Sequence, residues 1–329
     1  MYTLITGASG FIGQNYLQYL KRKKQIKNVI NLDCLNYSGK FALKKKILEE
    51  KGFIFIKGSI NNQNLLNKIF EKYRISSIIH FAAHTHVDRS IKSSLSFFQN
   101  NVIGTLRLLE KSRELYEKKK FSKFIFISTD EIFGSLSKNK KPIKENDLFN
   151  PRNPYAASKA SAYHLLQSFC HTYGFPGVII NPSNNYGPFQ HPEKLIPKII
   201  KNALINKQIP IYGNGRHIRD WIYVEDTCEA IFRVFKYGKI KTTYNVGGEQ
   251  QIENLEIAKK ICDYINISHK YFNYDCTKLL RFVDDRQGHD IRYNLDISKI
   301  KKELKWKPNH TLDQGLKKTI EWYKTLLKK

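Results

Sequence analysis

The stretch Thr6-Gly7-Ala8-Ser9-Gly10-Phe11-Ile12-Gly13 decides how the first half of this chain folds. It lies between a strand-like segment, Tyr2 to Thr6, and a helical pattern over residues 11–22. Glycines at this spacing allow a tight strand-to-helix turn, a close backbone approach to a pyrophosphate, and close packing of the helix on the strand. The stretch therefore predicts a dinucleotide-binding turn whose pyrophosphate meets the N-terminal end of the helix. The residues expected to contact the dinucleotide here are Gly7, Gly10, Phe11, Ile12 and Gly13.

Short apolar segments alternate with helical patterns through the first half of the chain. The strand-like segments are 2–6, 28–33, 53–57, 77–82, 123–128 and 177–181, and the helical patterns are 11–22, 42–51, 62–73, 91–117 and 155–173. Their uninterrupted apolar centres suit parallel strands that are covered on both faces. This alternation predicts an α/β fold with a Rossmann-type doubly wound parallel sheet.

The regular order loosens after residue 181. Helical stretches at 193–205, 225–236, 253–265 and 312–328 are separated there by loops marked by Gly and Pro. We therefore expect residues 1–181 to form the dinucleotide-binding domain, with returning elements at about 215–247. Residues 182–329 should form mainly a smaller, interleaved C-terminal lobe that binds the substrate.

The formal net charge of +27 raises the question of a nucleic-acid partner. Most of the 56 basic residues are Lys, and they are scattered along the chain. A specific nucleic-acid surface more often concentrates Arg and aromatic residues on one motif. We therefore expect no nucleic acid, and the positive field should help to attract an anionic substrate. An inactive nucleotide- or RNA-binding module is the alternative outside the enzymes.

Targeting and metal-binding patterns are missing from the sequence. No run approaches 18 uninterrupted apolar residues, and Met1-Tyr2-Thr3 leads directly into a strand-like segment. We therefore expect neither a membrane partner nor a signal peptide. The 5 cysteines form no CxxC pair, which is typical of ordinary thiols in a reducing cytoplasm. A cytoplasmic protein without a bound metal is the expectation.

Asp33 ends the second strand-like segment, about twenty residues after the glycine stretch. A carboxylate at this point can accept hydrogen bonds from both ribose hydroxyls and would repel a 2′-phosphate. No Arg follows it closely, which favours NAD over NADP. The alternative role is that of a turn or helix-cap aspartate. Ala82 and Ala83, after the fourth strand-like segment, are small enough for the cofactor to pass over them.

Tyr155 and Lys159 begin the helical pattern that follows Asn153-Pro154. Their i, i+4 spacing puts the phenol and the ammonium on one helix face. A nearby ammonium and the nicotinamide charge would both stabilise the phenolate, so Tyr155 is expected to act as a base below its ordinary pKa. Ser128-Thr129, at the end of the preceding strand-like segment, would supply a hydroxyl that relays the proton.

These motifs resemble the extended short-chain dehydrogenase/reductase family. Within that family, the stretch Ser128-Thr129-Asp130-Glu131-Ile132-Phe133-Gly134 is similar to the branch of nucleotide-diphosphoglucose 4,6-dehydratases. Burying adjacent carboxyls is costly, so the pair indicates acid–base chemistry beyond hydride transfer. Sugar 4-epimerases, the alternative within the family, need only the hydride step. The similarity also covers the stretches 81–90, 100–105, 183–188, 192–197, 218–221, 244–248 and 285–290.

The resemblance implies a lyase that converts dTDP-glucose into its 4-keto-6-deoxy product with NAD as the cofactor. Tyr155, with Thr129 and Lys159, would take the proton of the C4 hydroxyl as the hydride leaves C4. Glu131 would remove the C5 proton, and protonated Asp130 would donate to the departing C6 hydroxyl. Two neighbouring carboxyls tend to have split pKa values, which suits one acid and one base.

Further contacts are implied by motif position alone. The cofactor contacts include Asp33, Ser59, Ile60, Ala82, Ala83, Asn100, Tyr155 and Lys159. The substrate contacts are His86, Ser90, Asn184, Lys194, Leu195, Pro210, Tyr212, Arg219, Asn245, Arg286 and His289. Arg219 and Arg286 would meet the diphosphate, because planar guanidinium groups suit that geometry. Ser59 stands where the family usually has Asp, which weakens or replaces a contact with the adenine.

The nucleotide and the oligomeric state also rest on the resemblance. The stretch 81–88 is similar to UDP-glucose 4,6-dehydratases, whereas 183–188, 218–221 and 288–290 are similar to the dTDP-glucose enzymes. The latter three lie where the nucleotide should bind, so dTDP-glucose is expected and UDP-glucose is the alternative. Helices near 100–117 and 155–173 pair across a homodimer in this family, and we expect the same dimer here.

Overall fold

The computed structural model describes residues 1–25, 27–42, 52–137, 139–268 and 274–327. Its strands are β1 (Tyr2–Thr6), β2 (Val29–Asp33), β3 (Phe53–Lys57), β4 (Ile75–His80), β5 (Lys123–Ile127), β6 (Gly177–Pro182), β7 (Asn184–Tyr186), β8 (Ile209–Tyr212), β9 (Ile218–Tyr223), β10 (Thr242–Val246), β11 (Gln251–Glu253) and β12 (Leu280–Val283). The α-helices are α1 (Phe11–Arg22), α2 (Tyr37–Ala42), α3 (Gln63–Lys72), α4 (Val87–Lys92), α5 (Ser94–Phe98), α6 (Gly104–Glu117), α7 (Pro154–Thr172), α8 (Leu195–Leu204), α9 (Val224–Tyr237), α10 (Asn254–Ser268), α11 (Ser298–Leu304) and α12 (Leu312–Leu327).

Seven parallel strands form the central sheet in the order β10-β6-β5-β4-β1-β2-β3. Every residue of β2 and of β6 is buried, as expected for strands that helices cover on both faces. The chain leaves β1 for β2 on one side and later returns to β4 on the other. Such a reversal opens a crevice at the carboxyl ends of the strands. The doubly wound parallel sheet expected from the sequence is confirmed.

The remaining strands and several late helices pack into a second core. Strands β11, β9 and β7 form one small sheet, and β12 pairs with β8 in another. Buried side chains of α8, α10 and α12 surround these small sheets. Strand β10 pairs with β6, so the central sheet takes its last strand from the late part of the chain.

The helical pattern predicted over 91–117 is interrupted in the structure. Ser93 lies between α4 and α5 at φ −149° and ψ 70°, outside the helical region. A π-helix, Gln99–Ile103, then joins α5 to α6. It buries Asn101, whose side chain accepts a hydrogen bond from His84 N and donates to His84 O and Ser158 Oγ. A side-chain period alone cannot show this break, because the apolar pattern continues across it.

The pattern predicted over 42–51 lies almost wholly outside the described residues, and the helix observed before it is α2. None of the helices in the described ranges is long and apolar enough to cross a membrane.

Candidate active site

A cleft opens at the carboxyl edge of the central sheet, at the crevice beside β1. Its walls come from the segments that follow β1, β2, β4, β5 and β6, and from the second core. The cleft brings together the following sequence-predicted residues: Gly7, Gly10, Phe11, Ile12, Gly13, Asp33, Ser59, Ile60, Ala82, Ala83, His86, Asn100, Thr129, Asp130, Glu131, Tyr155, Lys159, Asn184, Lys194, Leu195, Pro210, Tyr212, Arg219, Arg286 and His289.

The turn from β1 to α1 can receive a pyrophosphate. Gly7 has φ +72°, and a Cβ there would lie 2.5 Å from the backbone of Ala82. By contrast, the nearest atom to a Cβ on Gly10 would be Gly7 O at 3.3 Å. Gly10 precedes α1 without a side-chain cap, so the N-terminal amides of the helix are not covered by one. Anions bind at helix ends of this kind, so the turn fits a dinucleotide.

Asp33 is buried at the end of β2, beside this turn. Its Oδ2 accepts a hydrogen bond from Ser9 N at 2.9 Å, and its Oδ1 accepts one from Leu35 N at 2.8 Å. Burial raises the pKa of the Asp33 carboxyl, and the two backbone donors act against that rise. Each carboxylate oxygen has a second lone pair, so Asp33 can bind ribose hydroxyls while it also holds the turn.

Helix α7 carries Tyr155 and Lys159 into the cleft. Asn153 caps the helix through a hydrogen bond from Ala156 N to Asn153 Oδ1 at 2.8 Å, and Pro154 occupies the first turn. Lys159 Nζ donates to Ile127 O at 2.6 Å, at the end of β5. The helix is thereby tied to the strand end that precedes the acidic pair.

Tyr155 and Lys159 are both shifted toward their neutral forms, which the sequence did not predict. Burial lowers the pKa of Lys159 to about 7. Burial raises the pKa of Tyr155, the Glu131 charge adds to this, and a hydrogen bond with Thr129 opposes it. We expected a Tyr155 pKa below its ordinary value. The protein groups alone give the opposite direction, because the phenol is desolvated and lies near the Glu131 charge.

Asp130 and Glu131 begin a short 3₁₀ helix, Asp130–Phe133, after β5. Thr129 caps it: Thr129 Oγ1 accepts from Glu131 N at 3.3 Å and donates to Asp130 Oδ1 at 3.2 Å. Burial raises the pKa of Asp130 well above its ordinary value, the Glu131 charge adds to the rise, and Arg219 opposes it. Asp130 Oδ2 is buried and has no hydrogen-bond partner among the described residues. Asp130 is therefore suited to be a protonated acid beside a carboxylate.

Cations gather at another part of the cleft. Arg219 donates to Asp290 O at 2.9 Å, and its guanidinium lies 4.4 Å from the centroid of the Tyr293 ring. Arg286 Nε is buried and finds no hydrogen-bond partner in the described part of the chain. Lys194 Nζ donates to Thr85 O at 2.8 Å. Fixed positive charges of this kind attract phosphate oxygens.

His217, Asp285 and His289 lie together beside these cations. His289 Nδ1 is 2.6 Å from Asp285 Oδ1, and His217 Nε2 is 3.2 Å from Asp285 Oδ2. The two imidazoles stack with centroids 3.6 Å apart and an angle of 20° between their planes. An ion bound to both would lie far out of each ring plane, away from the nitrogen lone pairs. Arg219 and Arg286 also lie close enough to act with burial in lowering the pKa of His289 to about 3. This arrangement suits a neutral imidazole stack better than a cation.

Two sequence-predicted substrate contacts lie outside the cleft walls. Asn245 is fully buried, and its Nδ2 donates to Ile143 O and Asp296 O inside the protein. Ser90 is also fully buried, and its Oγ accepts a hydrogen bond from Tyr155 N at 3.1 Å. The assignment of direct substrate contacts to these residues is corrected: Asn245 joins loops, and Ser90 holds the backbone of Tyr155.

The sequence did not predict the roles of two residues in or beside the cleft, Tyr293 and Asn153. Tyr293 lines the cleft, stacks on Arg219 and donates to Asp290 Oδ2 at 2.5 Å. Asn153 donates through Nδ2 to Glu131 Oε2 at 3.1 Å. Tyr293 gave no motif signal. Asn153 was visible only as the residue before a helix-starting proline.

Comparison with known proteins gives a consistent result. Residues 4–319 match the model of the family described as GDP-mannose 4,6 dehydratase. The dTDP-glucose 4,6-dehydratase of Haemophilus influenzae is 42% identical, with 98% of each chain covered. The NAD complex of the Bacillus anthracis dTDP-glucose 4,6-dehydratase has a TM-score of 0.86 at 36% identity, covering 99% of this chain and 97% of the other. The Streptomyces venezuelae dTDP-glucose 4,6-dehydratase, solved with NAD bound, has a TM-score of 0.88 at 34% identity with the same coverage.

The match spans both the glycine turn and the acidic pair, and the similarity in sequence and in structure covers nearly the whole of each chain. The chain therefore belongs to the GDP-mannose 4,6 dehydratase family, together with its dTDP-glucose 4,6-dehydratase relatives.

Proposed function

We propose that this cleft converts dTDP-glucose into dTDP-4-keto-6-deoxy-glucose, with NAD as the cofactor. The observation that carries the proposal is the acidic pair beside Tyr155 and Lys159 in one cleft. A 4-epimerase needs only the hydride step, for which a buried acid next to a second carboxyl has no use. A lyase needs both carboxyls, one to take a proton and one to give one.

NAD fits the groups at the carboxyl edge of the sheet. Gly10 and the start of α1 would hold the pyrophosphate, and Asp33 would hold the adenosine ribose. Ser59, Ile60, Ala82, Ala83 and Asn100 would form the rest of its wall. NAD held there would supply the acceptor for the hydride from C4 of the sugar and the donor for the hydride that C6 receives.

Tyr155 removes the proton of the C4 hydroxyl. Burial raises the pKa of Tyr155, and the Thr129 hydroxyl opposes that rise; the positive charge of the nicotinamide in bound NAD⁺ would oppose it further, as would Lys159 in its protonated form one helical turn away. The 4-ketone that results makes the C5 hydrogen acidic, and Glu131 removes it. Asp130, held neutral by burial and by its neighbour, protonates the C6 hydroxyl, so that water leaves. Glu131 finally returns its proton to C5.

The protons balance through Thr129. After water leaves, Tyr155 carries the extra proton from the C4 hydroxyl, and Asp130 has lost its own. The Thr129 hydroxyl donates to Asp130 Oδ1 and lowers the pKa of the Tyr155 phenol, so a proton shift from Tyr155 through Thr129 to Asp130 would return each group to its starting form. The water that leaves thus consists of the C6 hydroxyl and, over the cycle, the C4 hydroxyl proton.

Arg219 and Arg286 bind the diphosphate in this proposal, with His289 and Lys194 beside them. The unsatisfied Arg286 Nε is a donor for a phosphate oxygen. Asn184, Leu195, Pro210 and Tyr212 line the nucleotide part of the cleft, and His86 lies nearer to the sugar.

We also infer the division into a cofactor domain over 1–181, with returning elements at about 215–247, and a substrate lobe over 182–329. The two hydrophobic cores support this division, since one surrounds the central sheet and the other surrounds α8, α10 and α12. A cytoplasmic location is supported by the free thiols of all five cysteines.

A homodimer is supported by apolar side chains exposed on α5 and on the π-helix that leads into α6. Leu95 is 69% exposed and Ile103 is 42% exposed. Exposed apolar residues that cluster on adjoining helices are typical of an interface.

Replacing Asp33 tests the cofactor assignment. Asp33→Asn keeps an acceptor but loses the negative charge, so NAD binding should weaken by roughly 10–150-fold, the equivalent of about 1.5–3 kcal/mol. The preference for NAD over NADP should shrink, because the repulsion of a 2′-phosphate is removed. Titration of both cofactors into stripped enzyme measures this. Asp313→Asn, on an exposed carboxylate of α12, is the control and should change neither affinity.

Separate substitutions of the two carboxyls test the division of roles. Glu131→Gln should still oxidise C4, then stall with the reduced cofactor and the 4-keto sugar bound, since C5 keeps its proton. Asp130→Asn should slow water loss and spare exchange of the C5 hydrogen with deuterium in the solvent. Each substitution should lower kcat by about 100-fold or more. A Glu131→Gln enzyme with a near-normal rate would show that another residue is the base.

Substrate preference separates the two nucleotides. We expect kcat/KM to favour dTDP-glucose over UDP-glucose, by a factor within the roughly 10–200-fold range that a methyl group in a pocket provides. Measurable turnover of UDP-glucose should remain for the same reason. A higher kcat/KM for UDP-glucose than for dTDP-glucose would mean that the stretch 81–88 indicates the nucleotide better than the other three stretches do.

Charges introduced on the exposed apolar helices test the dimer. Leu95→Glu and Ile103→Glu should increase the monomer fraction in sedimentation velocity, because a carboxylate would be buried at the interface. Leu148→Glu, at a loop position that is 92% exposed, should leave the mass unchanged. A monomeric parent protein would contradict the proposal.

A further inference from the structure

Asn153 joins the catalytic helix to the acidic pair through two different atoms. Its Oδ1 accepts a hydrogen bond from Ala156 N at 2.8 Å and so caps α7. Its Nδ2 donates to Glu131 Oε2 at 3.1 Å. The residue is only 7% exposed, so neither bond competes freely with water.

Capping alone does not require an amide at this position. Asn, Asp and Ser cap helices about equally well, because only an acceptor is used. Asn62 shows this simpler case: its Oδ1 accepts from Leu65 N at 3.0 Å at the start of α3, and its side chain is exposed. An Asp in place of Asn153 would cap α7 as well, but it would put a second carboxylate against Glu131.

Glu131 depends on this donor for its placement. Among the described residues, no other side chain donates a hydrogen bond to its carboxylate. The groups that face it are Asp130, Tyr155, Tyr293 and Lys194, and its charge acts on the pKa of each. None of these four groups forms a hydrogen bond to the Glu131 carboxylate in the described part of the chain, and Lys194 Nζ donates to Thr85 O instead, so the amide of Asn153 is the described side-chain donor that fixes its orientation.

We propose that Asn153 is a positioning residue for Glu131. Asn153 caps the helix that carries Tyr155, and its amide holds the Glu131 carboxylate at a fixed position relative to Tyr155. The inference rests on the proposed role of Glu131 as the base. The helix that presents the phenol to C4 thereby also sets the base for the adjacent carbon, C5. Helix α7 and its cap then fix the positions of both groups that accept protons from the sugar. Proton transfers require positioning of this precision.

The test replaces the donor and keeps the cap. Asn153→Asp should have a melting temperature within a few degrees of the parent, like its matched control Asn62→Asp. We expect kcat to fall by roughly 10–100-fold in Asn153→Asp, with KM changed less than about twofold. Reduced cofactor should accumulate during turnover, and exchange of the C5 hydrogen with deuterium should slow in parallel. Asn153→Gly also lacks the donor, but it adds no charge and weakens the helix cap by only a few tenths of a kcal/mol. Its kcat should fall by about tenfold.

The outcomes separate this inference from the function on which it rests. If Glu131→Gln stalls while Asn153→Asp and Asn153→Gly keep the parent kcat and exchange rate, the positioning role is wrong and the base assignment stands. If Glu131→Gln itself turns over normally, the proposed function of Glu131 fails. A parallel loss of C4 oxidation in the Asn153 variants would show that the residue only supports α7, and this would overturn the inference as well.

Discussion

Asp130 and Glu131 are adjacent carboxyls at the end of a buried strand. Holding two carboxyls together away from water costs free energy, and the groups around them in the cleft reduce that cost. Two charges cannot be held there without strong opposing groups, so Asp130 is shifted toward its neutral form by burial and by the Glu131 charge. The Thr129 hydroxyl donates to Asp130 Oδ1 and accepts from Glu131 N, and the Asn153 amide donates to Glu131 Oε2. The deeper burial of Asp130 therefore fits the acid role that we propose for it.

The sheet brings these groups to one place because of the order of its strands. Strand β5 delivers the acidic pair, and β1 and β4 deliver the glycine turn and the alanines against which it packs. Helix α7 is tied to β5 through the bond from Lys159 Nζ to Ile127 O. Helix, strand end and acidic turn thus form one unit, and the distance between Tyr155 and Glu131 is set by backbone and cap geometry. A site on rigid elements of this kind is more precise than one on loops.

Much of this could be predicted from the sequence, for reasons that are local. The glycine turn, Asp33, and the positions of Tyr155 and Lys159 follow from residue type and spacing within one element. Asn153, Ser90 and Asn245 could not be assigned that way, because their roles depend on partners far along the chain: Glu131, Tyr155 and Ile143. The π-helix at 99–103 was missed because its apolar pattern continues across the irregular turn. The raised pKa of Tyr155 could not be predicted from spacing, which shows that a lysine is near but not that the phenol is buried close to the Glu131 charge.

The two parts of the cleft contain different kinds of ionisable groups. Burial shifts the groups of one part toward their neutral forms, whereas the other part contains arginines. Where the sugar reacts, Asp130 is shifted toward its neutral form, and the pKa of Lys159 falls to about 7. Where the diphosphate would lie, the cleft instead presents Arg219 and Arg286, whose planar guanidinium groups suit phosphate oxygens. Stacking on Tyr293 and carbonyl acceptors make the burial of Arg219 tolerable. The cationic region suits the anionic part of a nucleotide sugar, and its Arg219 also opposes the rise in the pKa of Asp130. The scattered lysines that give the chain its net charge of +27 add a general attraction for anions, and we expect the selectivity of the site to come from these two arginines and the acidic pair.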